Sequence, residues 1–388
     1  MIRLKTPEST RSIVRVRQKK SALPSEMVAV KVRQTDGSVK ILHQLEYYPR
    51  EPIPISTSII AAEVTLGRTA SYLLAHVSDF SEATKRQIVP ITASLLRGNA
   101  ISSGFANGSK ALACAKVGAY ALFAGVMVGS IASAYAEAVS DALVVSTPTA
   151  LSAARGYAAG ASVGSYALFA GGASDTAVST VVNAYTTALV RSTPTALGTA
   201  RRGAAGLSGA SMAMIAGGLA FDGYTKKLNV DLYTTALVRS SGTSLGNQAF
   251  GSFGVVGAAA LTGGFILYAL FGNFEIYNAS GVKQTTIVCP LFTPGALQTM
   301  CAATLEGQQA ALFMMRYEKN MNMVNSVFRV NSSFVFHQEV VAPFSFNDGI
   351  GMGLNKHAFF PGNERTAMLS ALQLLDGTRS CYLHGTRC

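Results

Sequence analysis

Apolar phrases ending in glycine recur along the chain at a near-constant interval. SYLLAH begins at Ser71, AYALFAG at Ala119, SYALFAGG at Ser165 and SMAMIAGG at Ser211, so successive starts lie 46 to 48 residues apart. Weaker copies are YALFGN from Tyr268, AALFMM from Ala310 and HAFFPGN from His357. AAALTGG from Ala258 also fits the fifth place; Tyr268 is preferred because Gly-Asn makes a tight hairpin into FEIYNAS. Each phrase leads into an alternating segment that closes on a basic residue. The clear cases are ITASLLR to Arg97, NAYTTALVR to Arg191 and DLYTTALVR to Arg239. Lys283, Arg329 and Arg379 fall at the matching interval, and Val145 holds this place in the second copy. Arg50 precedes Arg97 by a similar step, so the N-terminal hairpin fits the same series.

These patterns predict strands. Pro148 and Pro194, in STPTAL, stop one strand and start a connection. SAARGYAAGASVG then supplies a further small-residue strand. The unit thus holds about four short strands, with β-branched and aromatic residues between closely spaced turn signals. A helical solenoid would need sustained 3.6-residue stripes instead. TPTALSAAR could form one helical turn.

Four-stranded units of about 40–50 residues indicate a β-propeller, because one sheet cannot bury both faces alone and radial packing buries them in turn. Seven copies of the phrase, from Tyr72 to His357, predict seven blades; the ambiguous fifth copy and Arg50 leave six or eight open. Residues 56–388 are assigned to this propeller, 27–55 to an N-terminal β-hairpin and 1–26 to a basic arm. The hairpin carries Asp36-Gly37 between two alternating strands, the usual two-residue turn. It either closes the ring or docks elsewhere.

Residues 249–271 form an uncharged run of 23 residues, long enough on hydropathy for a membrane span. Its register with the repeat and the glycines of LTGGF favour two buried strands joined by a turn.

Composition agrees with buried strands: 49% of residues are apolar, 13% are charged, there are 37 glycines and no tryptophan. The net charge is +12, and the first twenty residues contribute half of it. Arg3, Lys5, Arg11, Arg15, Arg17, Lys19 and Lys20 are therefore candidate docking residues for an acidic partner surface. Nothing accompanies them that would read bases, so sequence-specific nucleic acid is not an expected partner. A secretory signal is not expected, since no apolar run follows the basic start. Five cysteines without CxxC spacing argue for free thiols rather than a disulfide framework or a zinc site.

YALFAGG followed by NAYTTALVRSTPTALxxAR resembles the kelch-like repeat arrays of bacteriophage virion proteins and related bacterial proteins. The resemblance covers roughly residues 55–388 and is strongest in 118–245, but the tryptophan of standard kelch repeats is absent. It implies a non-enzymatic virion protein, made in the host cytoplasm. Such a protein would dock through its N-terminal region and display a propeller in multiple copies. Its partners would be other virion proteins and a host-surface carbohydrate or protein, as a tail or baseplate adhesin or a head decoration. The alternatives are a bacterial protein-interaction module and a propeller enzyme.

The chemistry of catalysis is sparse. His43, His76, His337, His357 and His384 have no ligand spacing, and acids are too few in the repeats to pair for glycoside hydrolysis. P-loop, dinucleotide and GxSxG signatures are lacking. No cofactor, metal or catalytic residue is expected, and the recurrent tyrosines and arginines are expected to pack blades together.

Overall fold

The computed structural model describes residues 3–5, 10–18, 27–33, 39–43, 62–79, 86–93, 96–106, 109–246, 250–251, 254–255, 257–268, 273–288, 297–305, 307, 309–319, 322–341, 349–350, 352–354, 357–359 and 368–369. The chain divides into two units: Met1–Glu51 with Ser370–Cys388, and Pro52–Leu369.

The first unit holds a four-stranded sheet in chain order: Arg3–Lys5, Thr10–Gln18, Met27–Arg33 and Val39–His43. The last two strands pair antiparallel from Arg33↔Val39, and the Asp36-Gly37 turn expected between them lies outside the described residues. The stretch read as a basic arm contributes the other two strands.

The second unit is an all-β propeller. Its six blades each have a core of four consecutive strands, beginning at Ala62, Ala113, Ala159, Ala205, Ala258 and Leu297, and follow one another along the chain; a fifth strand joins blade 2 (Ser109–Lys110) and blade 6 (Gly349–Ile350, parallel to the first strand). This corrects the expected seven blades. The seventh phrase, at His357, forms the middle strand of a three-stranded sheet, Met352–Leu354, His357–Phe359 and Met368–Leu369. Its first strand touches the first strands of blades 6 and 1, and thereby completes the ring.

The repeated phrase is the second strand of each blade, and its apolarity on both faces has a direct cause. In blade 3, Ala167 and Phe169 enter the core shared with blade 2, while Leu168 and Ala170 enter the core shared with blade 4. Met214 and Ala216 of blade 4 face blade 5, whose Ile266 and Tyr268 in turn face blade 6. A strand buried on both faces reads as a continuous apolar run. The uncharged stretch 249–271 follows the same rule: Ala258–Leu261 and Gly264–Tyr268 pair as a hairpin that turns at Thr262-Gly263. Among the described residues no helix is long and apolar enough to cross a membrane.

Three local expectations are corrected. The fifth phrase starts at Gly264, not Tyr268; Tyr268 ends that strand and Ala258 belongs to the strand before it. Arg329 lies in the third strand of blade 6, paired with His337, so it does not match Arg191 and Arg239, which open fourth strands. TPTALSAAR is irregular chain rather than a helical turn.

The turn between third and fourth strands is built alike in six blades. Thr92, Ser140, Thr186, Thr234, Asn278 and Asn331 each use a side-chain oxygen to accept the N–H four residues on. The residue just before that N–H adopts positive φ, as seen at Leu143, Leu189, Leu237, Gly281 and Phe334. This is a three-residue loop of a type I turn followed by a left-handed residue. Leucine tolerates that conformation because its side chain gains burial: Leu189 and Leu237 pack against the interblade cores. Asn278 and Asn331 are thus turn caps.

Candidate functional site

Strands alternate in direction, so every blade presents equivalent connections at the same end. First-to-second and third-to-fourth turns share one face of the propeller, the hairpin face. Second-to-third connections and the entries to first strands share the other, the loop face.

Buried polar residues recur at one position of the third strand: Glu137, Asn183, Asp231 and Glu275. Each side chain accepts a backbone N–H from the linker that enters its own blade, namely Gly104 at 2.7 Å, Ser152 at 3.1 Å, Gly198 at 3.1 Å and Gly246 at 2.8 Å. The linkers cross between blades, where an unpaired N–H would be costly. Two residues on, Tyr185 and Tyr233 donate hydroxyls to the linker carbonyls of Thr149 and Thr195, while Tyr277 donates to the Glu275 carboxylate at 2.8 Å. Burial pushes the Tyr185 hydroxyl up to about 12, so it stays a donor.

Two linkers also insert an arginine. Arg155 donates to the Asn183 Oδ1 at 2.9 Å and the Phe169 carbonyl at 3.2 Å. Arg201 makes the same contacts one blade on, to Asp231 at 2.6 Å and the Ile215 carbonyl at 3.0 Å. Their backbone N–H groups donate to Ser133 and Ser179 of the preceding blades, so each arginine ties two blades. Arg239 pairs with the second Asp231 oxygen at 2.5 Å, and Lys283 pairs with Glu275 at 3.0 Å. Burial lowers the Arg155 guanidinium to about 10, and the nearby Arg191 charge acts in the same direction. These groups are enclosed and hold the scaffold together.

Glu137 yields a pH prediction. Burial raises its carboxyl above the ordinary range, against the opposing effects of the Gly104 N–H, Ser103 and Arg86. The folded state therefore holds a proton that the unfolded chain has lost, and stability falls as pH rises through that window. Glu137→Gln keeps an acceptor for Gly104 but carries no charge. It is expected to be more stable than the wild type at pH 8, with the gap closing as the pH drops to 4. Urea midpoints at both pH values check this; a variant less stable at pH 8 would contradict it.

The exposed chemistry gathers on the loop face at blade 4. Its second-to-third connection, residues 217–229, replaces the small polar SDTAVST of blade 3 with FDGYTKK. Asp222 organises it, accepting from the Tyr224 and Thr225 N–H groups at 2.9 Å each and from the Thr225 hydroxyl at 2.5 Å. Those bonds, Thr225 first, hold the Asp222 carboxyl down to about 2. Tyr224 is 87% exposed and Phe221 44% exposed, and Lys226 is exposed beside them. Arg202 lies 5.3 Å over the Tyr157 ring, a cation–π contact. Gly223 sits so close that an added Cβ would meet the Arg202 Nη2 at 2.9 Å. Three aromatic rings and two cations, Arg202 and Lys226, thus share one patch.

Of the sequence-predicted docking residues, Arg3 and Lys5 lie on the first strand of the N-terminal sheet and Arg11, Arg15 and Arg17 on the second, which pairs with it. Lys19 and Lys20 lie outside the described residues. Sequence reading missed the blade-4 patch. The available signal was the contrast between aligned copies, in which one connection alone gains two aromatics and two lysines.

No protein-family model matches the chain, and no curated protein matches it. Solved structures do. Virginiamycin B lyase from Staphylococcus aureus, solved in selenomethionine-substituted form, aligns with a TM-score of 0.51 and 8% identity, over 81% of this chain and 96% of that one. A structure of YjhT aligns with a TM-score of 0.46 and 10% identity, over 68% and 94%. The first likeness establishes the propeller fold. It also overturns the expectation that the chain is not an enzyme: the fold is shared with a lyase, so the propeller gives no ground for excluding catalysis. At this identity the likeness shows the fold alone.

Proposed function

We propose that the protein is a binding propeller whose blade-4 loop patch takes an acidic saccharide. The observation that carries this is Tyr224, an almost fully exposed aromatic ring on a loop fixed by Asp222, beside Phe221, Arg202 and Lys226. An exposed ring fixed in this way stacks on the apolar face of a sugar, and neighbouring cations pair with its carboxylate or sulfate. The pre-set Asp222 turn lowers the ordering cost of binding.

The resemblance to kelch-like virion proteins supports a setting for this activity. The propeller would be displayed on a bacteriophage particle and attached through the N-terminal sheet, whose first two strands carry Arg3, Lys5, Arg11, Arg15 and Arg17. In that setting the saccharide belongs to a host surface.

Calorimetry of the full chain with a uronic-acid polysaccharide and a neutral glucan tests the binding reading. Binding of the acidic polymer alone is expected, weakening with salt. Tyr224→Ala and the double variant Lys226→Ala/Lys227→Ala should each weaken it about tenfold, a loss of about 1.4 kcal/mol. Equal binding of the neutral polymer, or variants that bind like the wild type, would overturn the assignment.

A further inference from the structure

The six third-to-fourth turns share a feature that folding does not require. At the fifth position of each turn stands an apolar side chain turned to solvent: Leu96 (67% exposed), Val144 (60%), Val190 (60%), Val238 (61%), Val282 (49%) and Val335 (48%). The units around them have diverged to LLR, LVV, LVR, LVR, GVK and FVF, yet this position is leucine or valine every time. Where a leucine or phenylalanine precedes it, as at Leu143, Leu189, Leu237 and Phe334, that side chain packs inward, so the exposed residue is not the one that holds the turn. Among the described residues, these six are most of the large exposed apolar side chains, and all lie on the hairpin face.

We propose that this ring is a self-association surface, on which a second copy of the chain docks hairpin face to hairpin face. Three observations select a second copy. First, a ring with the same apolar residue in every blade is self-complementary: turned over about an axis in its own plane, it sets apolar groups against apolar groups. That is the geometry of an isologous pair. Second, the charges at the third-to-fourth turns nearly balance in sign, two of the cations being paired and Asp141 offsetting Arg191, so two copies approach with little repulsion. Asp141 accepts from the Ser71 N–H, Arg191 donates to the Ala150 carbonyl, Arg239 pairs with Asp231 and Lys283 with Glu275. Arg97 adds one exposed charge beside Leu96. Third, the extent is right. Six turns of five residues, with the first-to-second hairpins between them, reach the 20–30 residues a side of a stable interface. Pairing these faces leaves both loop faces outward.

Sedimentation of the full chain over a concentration series tests this. The wild type is expected to dimerise. The triple variant Val144→Lys/Val190→Lys/Val238→Lys should weaken the dimer about a hundredfold, because like charges then meet across the interface. A second triple variant with threonine at the same places keeps β-branching and should weaken it less; it replaces the lysine variant if circular dichroism shows that one unfolded. A wild type that stays monomeric at every concentration overturns the proposal. So does a dimer that both variants leave intact, since it would use another face. A monomeric wild type that floats with phosphatidylcholine vesicles, while the lysine variant does not, would give the ring to a lipid surface and also overturn it.

Discussion

Gly206→Ala is expected to destabilise the propeller by about 3 kcal/mol or more, at the upper end of overpacking effects. Gly206 lies in the first strand of blade 4, and a Cβ placed on it would stand 2.1 Å from the Gly160 carbonyl oxygen of blade 3. Gly160 stands in the same relation to the Cys114 carbonyl oxygen of blade 2, at 2.0 Å. The obstacle in both cases is main chain, so no side-chain rotation relieves it. The strands would have to separate, and they are clipped together: the Ser208 hydroxyl accepts the Ser162 N–H at 2.8 Å, and the Ser162 hydroxyl accepts the Lys116 N–H at 3.0 Å. Spreading them disturbs the cores that blade 3 shares with blades 2 and 4. For a unit that spans Pro52–Leu369 the loss corresponds to a melting point lower by about 4–5 °C. Gly129→Ala is the control. It has open space around it but a φ of 61°, so only the left-handed penalty of about 1–2 kcal/mol applies. Thermal melts of both variants decide the matter; a Gly206→Ala protein that melts with the wild type would show that the inner strands have slack.

The second large effect concerns Asp231. It is 1% exposed and holds two cations, Arg201 at 2.6 Å and Arg239 at 2.5 Å, while accepting the Gly198 N–H. Asp231→Ala leaves a fully buried guanidinium without its counter-charge, which costs about 3–5 kcal/mol. Asp231→Asn should cost about half of that or less. Asn183 occupies the matching position in blade 3, facing Arg155, so the protein already contains a working neutral version of the site. Chemical denaturation of the two variants measures the difference. Equal losses would mean that the carboxylate charge, rather than its hydrogen bonds, carries the stabilisation.

Much of the architecture was legible because it repeats. The doubly buried second strand gives an apolar run every 46 to 48 residues in the central blades, and hydropathy detects that directly. Where blades diverge, the signal slid. Tyr268 attracted the fifth assignment because it resembles the first residue of the phrase, whereas in the fold it ends the strand that begins at Gly264. Arg329 kept the numerical rhythm but sits one strand too early. The seventh phrase was real as a strand and misleading as a blade, because His357–Phe359 pairs within a sheet of three strands.

The polar layer was less legible. Arg155 and Arg201 stood in a repeated phrase, but their partners lie 28 and 30 residues away in the next blade. Glu137, Asn183, Asp231 and Glu275 share no residue type, so only superposed blades show that they do one job.

By itself the sequence determined that the chain is all-β, that its unit is a four-stranded sheet, and that successive sheets bury both faces. Those properties are local, written in strand periodicity and turn chemistry. Only the tertiary structure decided how many blades close the ring, which buried polar groups meet across the linkers, and which valines face solvent. Ring closure depends on the contact between the first and last sheets. Exposure depends on which way a left-handed turn residue points its neighbour: Leu189 and Val190 are adjacent and both apolar, yet one packs into the core and the other lies on the surface.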